Sequence, residues 1–395
     1  MKNNPPRILI NGAGRGCLNL IKTAKQMGLY TIVTGMAGPC IPIADKVYRE
    51  VHPGHPKEVL RVANIEHVDG VVTTCNDMGL ESVGYCCEKL KLPGLSWNAA
   101  KISSNKLLMK ELLVKNGVRT ANFLNIHNIE ELEAVLSNLQ LPVIIKATDL
   151  QGSRGVCIVR SMEHLKSAYN EVMSLTKQDY CIIEEFIEGV EFGAQAFIYN
   201  GKVLFVLPHG DETIMCKTAV PVGHYMPYIM NNELAADVEL QAIKAIEAIG
   251  LDNCAVNIDF IERDNKAYII ELTGRGGANG LTDITGLHYG INYYEMILNM
   301  ALGKDPREVF SKKAIRPYAS KSEMIKSTVS GIVKNIILPE SSDAEINMFI
   351  APGDEVRLFT NCNDAIGEIF VKGESIEDCD NKITELLNQI TIDLL

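Results

Sequence analysis

Two carboxylates make the clearest chemical demand in this sequence. Asp259 lies in Ala255-Val-Asn-Ile-Asp-Phe-Ile and Glu271 in Tyr268-Ile-Ile-Glu-Leu-Thr, two strand-like runs joined by the short turn Arg263-Asp264-Asn265. Both acids are flanked by apolar residues, where an unpaired carboxylate is costly. Brought together on neighbouring strands, they want a cation between them, and Mg²⁺ bridging phosphate oxygens meets that demand. Arg275, four residues on and followed by Gly276-Gly277, offers a competing solution as a structural ion-pair partner.

Three upstream segments fit a phosphate and a nucleoside. Lys146 ends the apolar strand that begins at Pro142, so its ammonium emerges from a buried strand end, although a lysine snorkelling from a strand edge has the same pattern. Gln151-Gly152-Ser153-Arg154-Gly155-Val156 follows and leads into another strand. Its two glycines flank small and cationic residues, which lets backbone N–H groups converge on an anion; a plain hairpin turn is the alternative. In the run from Cys181 to Glu191, Glu184 and Glu185 close a hydrophobic strand and Glu188 and Glu191 surround Gly189. Such a hinge offers backbone hydrogen bonds to an adenine edge and the Glu191 carboxylate to ribose hydroxyls, while Glu188 reads as a solvated acid.

The elements that must position these groups alternate along the chain. Arg7 to Asn11 reads as a buried strand, followed by Gly12, Gly14 and Gly16 and a helix-like run to Met27. A strand at 30–34, a helix near 56–66, a strand at 69–74 and a helix at 77–90 continue the pattern of a parallel sheet with helices on its faces. This lobe is Rossmann-like in shape. It lacks the third glycine of the dinucleotide fingerprint, because Cys17 stands there, and no acid closes the second strand at Thr34, so NAD binding is disfavoured. One helical stretch is expected at 98–116. Strands at 121–126, 142–147, 155–159 and 180–184 with helices at 128–138 and 161–175 form an α+β unit. Asn200-Gly201 reads as a hairpin turn, and an amphipathic helix at 232–249 ends at Gly250 as a left-handed cap predicts. The last 90 or so residues read as a mixed lobe with a helix at 376–390.

Composition narrows the partners. A chain of 395 residues is long enough for two or three lobes, and its net charge of −11 argues against a nucleic-acid backbone, which needs a basic surface. No stretch reaches the length of about 18 apolar residues that spans a bilayer, and the first residues lack a signal-peptide apolar core. Eleven cysteines without C-x-x-C spacing suggest neither a disulfide framework nor a zinc site, so a cytoplasmic protein with no membrane partner is expected.

The lysine strand, glycine loop, E-E-F-I-E-G-x-E hinge, I-D-F strand and I-I-E-L-T-G-R strand, in this order, resemble the ATP-grasp superfamily over nearly the whole chain. The resemblance implies a multi-lobed α/β and α+β architecture. A pre-ATP-grasp domain would span 1–103, an ATP-grasp domain 104–305 with a lid lobe at about 120–186, and a C-terminal lobe 306–395. The segment Ser104-Asn105-Lys106-Leu-Leu-Met-Lys is similar to the family's D-K-x-x-x-K segment, which makes Lys106 a nucleotide phosphate ligand beside Lys146. By the same comparison, Gly152, Ser153, Arg154, Gly155 and Val156 would close on the β and γ phosphates. Glu184, Glu185, Ile187 and Glu191 would hold adenine and ribose. Asp259 and Glu271 would hold Mg²⁺, with Mn²⁺ as an alternative, and Arg275 matches the arginine that stabilises the transferred phosphoryl group or the tetrahedral intermediate. Thr273 stands where the family commonly has a metal-binding asparagine, which implies weakened or water-mediated coordination.

Met215-Cys216-Lys217-Thr218 and Gly223-His224-Tyr225-Met226-Pro227 resemble a segment of the carboxylate-amine ligase branch that includes the L-amino-acid ligases, so His224 is a candidate substrate-side residue. The implied activity uses ATP to turn a carboxylate, an amino acid by this resemblance, into an acyl phosphate that an amine then attacks. Both partners would be small molecules, and a homodimer is compatible with the chain. The pattern that follows the active-site arginine in biotin carboxylases is absent. The rival readings are a purine-pathway ligase, to which the first lobe is also similar, and a nucleotide-binding sensor without catalysis, suggested by Thr273 alone.

Overall fold

The structure, a computed structural model, describes residues 4–135, 140–151, 154–215 and 219–395. The first lobe is a four-stranded parallel sheet of Arg7–Asn11, Tyr30–Thr34, Lys46–Tyr48 and Gly70–Val72, ordered third, second, first, fourth. Ile8, Leu9, Ile10, Ile32 and Val33 are wholly buried, as expected where helices cover both faces of a parallel sheet. The Lys46–Tyr48 strand escapes the sequence pattern because it is short and only half-buried.

The single helix expected at 98–116 is two, Trp97–Ser103 and Lys106–Lys115. Asn105 divides them: its backbone is extended, and its side-chain oxygen accepts hydrogen bonds from the N–H groups of Leu107 and Leu108 at 3.0 and 3.2 Å. This N-cap starts a new helix with Lys106 at its first turn. The unit that follows is an antiparallel sheet ordered Phe123–Ile126, Cys181–Glu185, Val143–Lys146, Val156–Val159. Helices Ile129–Val135 and Met162–Leu175 cover it, with a hydrophobic cluster of its own around Val143, Ile145, Leu165 and Val172.

An eight-stranded antiparallel sheet carries the rest. Its order is Lys266–Thr273, Cys254–Arg263, Val190–Tyr199, Lys202–Met215, Ala219–Met226, Ala319–Ile325, Gly367–Gly373, Ala344–Met348. The last three of these strands come from the segment expected as a C-terminal lobe, so that segment extends the central sheet. Strands Gly331–Ile337, Glu355–Val356 and Thr391–Leu394 form a small separate sheet. Strand alternation sorts the central sheet's two faces. Phe192, Ala194, Ala196, Val256, Ile258 and Phe260 bury against the Asn232–Ile249 helix and share one hydrophobic cluster with Leu9, Val71 and Val83 of the first lobe. Residues of the other parity divide between a second cluster, with Phe197, Phe205, Leu207 and Ala255, and the polar groups. No helix among the described residues is long and apolar enough to cross a membrane.

Candidate active site

The strand register lays out the polar face as a row. Glu271 faces Asp259, Asp259 faces Gly193 and Gly193 faces His209, while two residues further on Asp211 faces His224. A chain of amides orients the acid pair: the Gly277 N–H donates to Gln195 Oε1 at 2.9 Å, Gln195 Nε2 to Asn257 Oδ1 at 2.5 Å, and Asn257 Nδ2 to Asp259 Oδ1 at 2.9 Å. Burial pushes the Asp259 carboxyl up to about 8, and the charges of Glu271 and Asp211 push the same way against Arg275. An acid pair held this uncomfortably, with oxygen donors only, fits a hard divalent cation.

Three lysines pair with Glu271 and Glu184. Lys106 Nζ lies 2.8 Å from Glu271 Oε2 and donates to the Leu150 carbonyl at 2.9 Å, so it touches both the acid pair and the stem of the glycine loop. Lys146 Nζ lies 2.7 Å from Glu184 Oε2, and Lys110 Nζ lies 3.2 Å from Glu184 Oε1. Burial would raise the Glu184 carboxyl, but the two ammoniums outweigh it and hold the group below its ordinary value. Lys110 itself is brought down to about 8 by burial, against the pull of Glu184. The Glu184 side chain, expected beside adenine or ribose, is 2% exposed, and both its oxygens lie against lysines. Lys110 closes the segment similar to D-K-x-x-x-K but was given no role in the sequence, although its position four residues after Lys106 puts both on one helix face.

The Glu185 side chain is engaged as well. Its oxygens lie 2.8 Å from Arg263 Nη1 and 2.8 Å from the Asn122 amide nitrogen that donates to it. Next to it, Ile187 buries with Ala121 and Ile261 in a small apolar cluster flanked by Tyr268 and Ile270. Glu191, opposite Ile261 and exposed, shares the polar face with Gly193. In the glycine loop, Gly155 has φ +66, and a Cβ there would come within 2.8 Å of the Ala147 side chain, so the position demands glycine. Arg154 is exposed and Val156 faces Lys146 across the strand pair; Gly152 and Ser153 lie outside the described residues.

Arg275 is buried and clamped bidentately, Nε to Asp77 Oδ1 at 2.6 Å and Nη2 to Asp77 Oδ2 at 2.8 Å. Its ion-pair partner thus comes from the first lobe and is neither Asp259 nor Glu271. The Cys75 N–H and thiol add bonds to the carbonyls of Gly276 and Gly277 at 3.3 and 3.0 Å. The Thr273 hydroxyl is buried close to Asp77 and makes no hydrogen bond to Asp259 or Glu271. His224 is buried with Nδ1 2.6 Å from Asp211 Oδ1, and the same oxygen lies 3.0 Å from His209 Nδ1. His209 and Asp211 escaped the sequence reading; the signal was their i, i+2 spacing on one strand. The segment around Lys217 lies outside the described residues.

The acid pair and the Ile187–Ile261 apolar cluster thus lie along one sheet, with Lys106 from a helix beside Glu271 and Lys146 from the neighbouring sheet on Glu184. The chain belongs to the ATP-grasp superfamily, and it is an ATP-dependent ligase that forms carbon–nitrogen bonds. Residues 104–215 match the family described as phosphoribosylglycinamide synthetase, ATP-grasp (A) domain. Over 99% of this chain and 100% of the other, the structure is similar to phosphoribosylglycinamide synthetase from Anaerococcus prevotii, at 44% identity and a TM-score of 0.87. The L-amino acid ligase from Bacillus licheniformis has the same fold, with 21% identity, a TM-score of 0.81 and full coverage of both chains. Among curated proteins, the alanine–anticapsin ligase of Bacillus subtilis is 23% identical over 87% of this chain and 83% of its own length.

Proposed function

We propose that this ligase activates the carboxylate of an amino acid as an acyl phosphate and transfers it to an amine, releasing ADP and phosphate. The observation that carries the reading is the acid pair Asp259 and Glu271 facing each other beside Lys106, on the sheet face that also bears the Ile187–Ile261 cluster and Glu191. In this reading Asp259 and Glu271 hold Mg²⁺, or Mn²⁺, with Thr273 reaching it at most through water. When bound, the ion neutralises phosphate oxygens. Lys106 and Lys146 swing from their carboxylate partners onto the nucleotide phosphates, and Gly152 to Val156 close over them. Ile187 and its neighbours receive the adenine, Glu191 the ribose hydroxyls. Arg275, held in place by Asp77, faces the transferring phosphoryl group, and His224 lines the substrate side.

The carboxylate attacks the γ phosphorus in line, and positive charge from the lysines and Arg275 offsets the charge that develops. Closure of the unit at about 120–186 over the site would keep water from the acyl phosphate. The chain is read as three lobes, 1–103, 104–305 and 306–395, working in the cytoplasm, with a homodimer as its assembly. A second reading has a specific observation behind it. The 44% identical structure is named for phosphoribosylglycinamide, so the amine could be a phosphoribosylamine and the amino acid glycine.

The test is to incubate enzyme, ATP and Mg²⁺ with pooled amino acids and with hydroxylamine. ADP and a hydroxamate are expected when the right amino acid is present; AMP and pyrophosphate would overturn the mechanism. Adding phosphoribosylamine or free amino acids as the amine separates the two readings. Lys106→Ala and Lys146→Ala are each expected to weaken ATP by about 10- to 100-fold, the worth of one charge-assisted hydrogen bond, and to leave adenosine binding nearly unchanged. Calorimetric titration with both ligands measures this, and equal losses would make the lysines structural.

A further inference from the structure

His209 belongs to neither the phosphate nor the metal part of the site. Its side chain is 1% exposed, and Asp211 Oδ1 takes the Nδ1–H groups of both His209 and His224, which leaves each ring's lone pair at Nε2. Both Nε2 atoms are buried and lack a partner among the described residues. An unpaired buried acceptor is unfavourable, so the pair is suited to a ligand that brings its own N–H donors. The His209 ring lies over Gly193, where a Cβ would overlap its Cε1 and Nε2 atoms. Gly193 is the register partner of both His209 and Asp259, so no side chain of the row stands between the imidazole and the acid pair.

We propose that His209 is the base that takes a proton from the amine as it attacks the acyl phosphate. This rests on the ligase reading above. The amine lone pair forms the C–N bond, the carbon–oxygen bond to phosphate breaks with its electron pair leaving on the phosphate, and the N–H proton passes to His209 Nε2. Asp211 balances the imidazolium until the proton returns to solvent. The groups facing His209 are Asp211 on its own strand, His224 from the next, and Asp259 beyond Gly193. Burial holds the imidazole below its ordinary value against the pull of Asp211, so it is neutral and able to accept.

The experiment compares His209→Gln, His209→Asn and His224→Gln with the unaltered enzyme, measuring hydroxamate and amide product separately. Hydroxylamine is a nucleophile that needs no protein base, so it reports acyl phosphate formation alone. In both His209 variants the amide rate is expected to fall by about 100-fold or more, the usual worth of a general base, while ADP and hydroxamate stay within about threefold. Equal loss of both products in both variants overturns the proposal, as does a selective loss that appears in His224→Gln alone. No hydroxamate from the unaltered enzyme overturns the acyl-phosphate reading and this proposal with it.

Discussion

Replacing Glu271 by glutamine is expected to lower turnover by about a thousandfold while leaving the melting temperature within a few degrees. Glu271 is one of the two carboxylates of the acid pair, and the ion they are proposed to hold supplies several kcal/mol of charge stabilisation to phosphoryl transfer, at roughly 1.4 kcal/mol for each tenfold in rate. The structural cost is small. The Glu271 side chain is 31% exposed and its ion pair with Lys106 is partly open, so its loss is worth about 1 kcal/mol or less. Steady-state turnover and thermal unfolding of the same preparation check both halves. An active, well-folded Glu271→Gln enzyme would remove Glu271 from the metal site.

Glu184→Gln is expected to behave in the opposite way, with a loss of folding stability of about 3–5 kcal/mol, because two buried ammoniums are left without a compensating charge. Lys146 and Lys110 both lean on this one carboxylate. The pH dependence follows from the two shifted groups. The folded-state value of Glu184 lies below its ordinary 4.5, so its stabilisation is fully present above that value and is lost as the pH falls through the lowered one. Lys110 sits near 8 in the folded protein against an ordinary 10.5, so the unfolded chain holds more protons across that window and stability rises with pH there. Without Glu184 the Lys110 value drops further, which brings that gain to lower pH. The gap between the two proteins should therefore be widest above pH 4.5 and below the variant's lowered Lys110 value, and should narrow both toward acid and as the pH rises to about 8. Urea unfolding at several pH values measures it; a gap that does not vary with pH would mean that Glu184 acts through packing alone.

These two acids also mark how far the chain could be read before its structure. Asp259, Glu271 and Lys146 were legible because each interrupts an apolar run at a strand position, and an isolated charge in such a place has few explanations. The hairpin turns at Asn200-Gly201 and Arg263-Asp264-Asn265 were legible because their chemistry is local. The pairing of Glu184 was not legible, for the converse reason. Its partners lie 38 residues away on Lys146 and on a helix at Lys110, and nothing in the local sequence says which acid of a hinge will be buried under which lysine. The same non-local pairing hid the His209–Asp211–His224 cluster, which exists only because the strand register sets Asp211 opposite His224. It also hid the three C-terminal strands of the central sheet, since a sequence pattern names a strand without naming its neighbour.

The clamp of Asp77 on Arg275 bears on how such a chain can be recombined. The first lobe supplies the acid that orients the catalytic sheet's arginine, binds the Gly276–Gly277 carbonyls through Cys75, and shares a hydrophobic cluster with that sheet. It is therefore built into the sheet that carries the proposed site and is not an interchangeable module. A chimera that takes its first hundred residues from another ligase would have to import an acid at position 77 and a matching apolar face together, and a donor lobe lacking either would leave a buried guanidinium without its counter-charge.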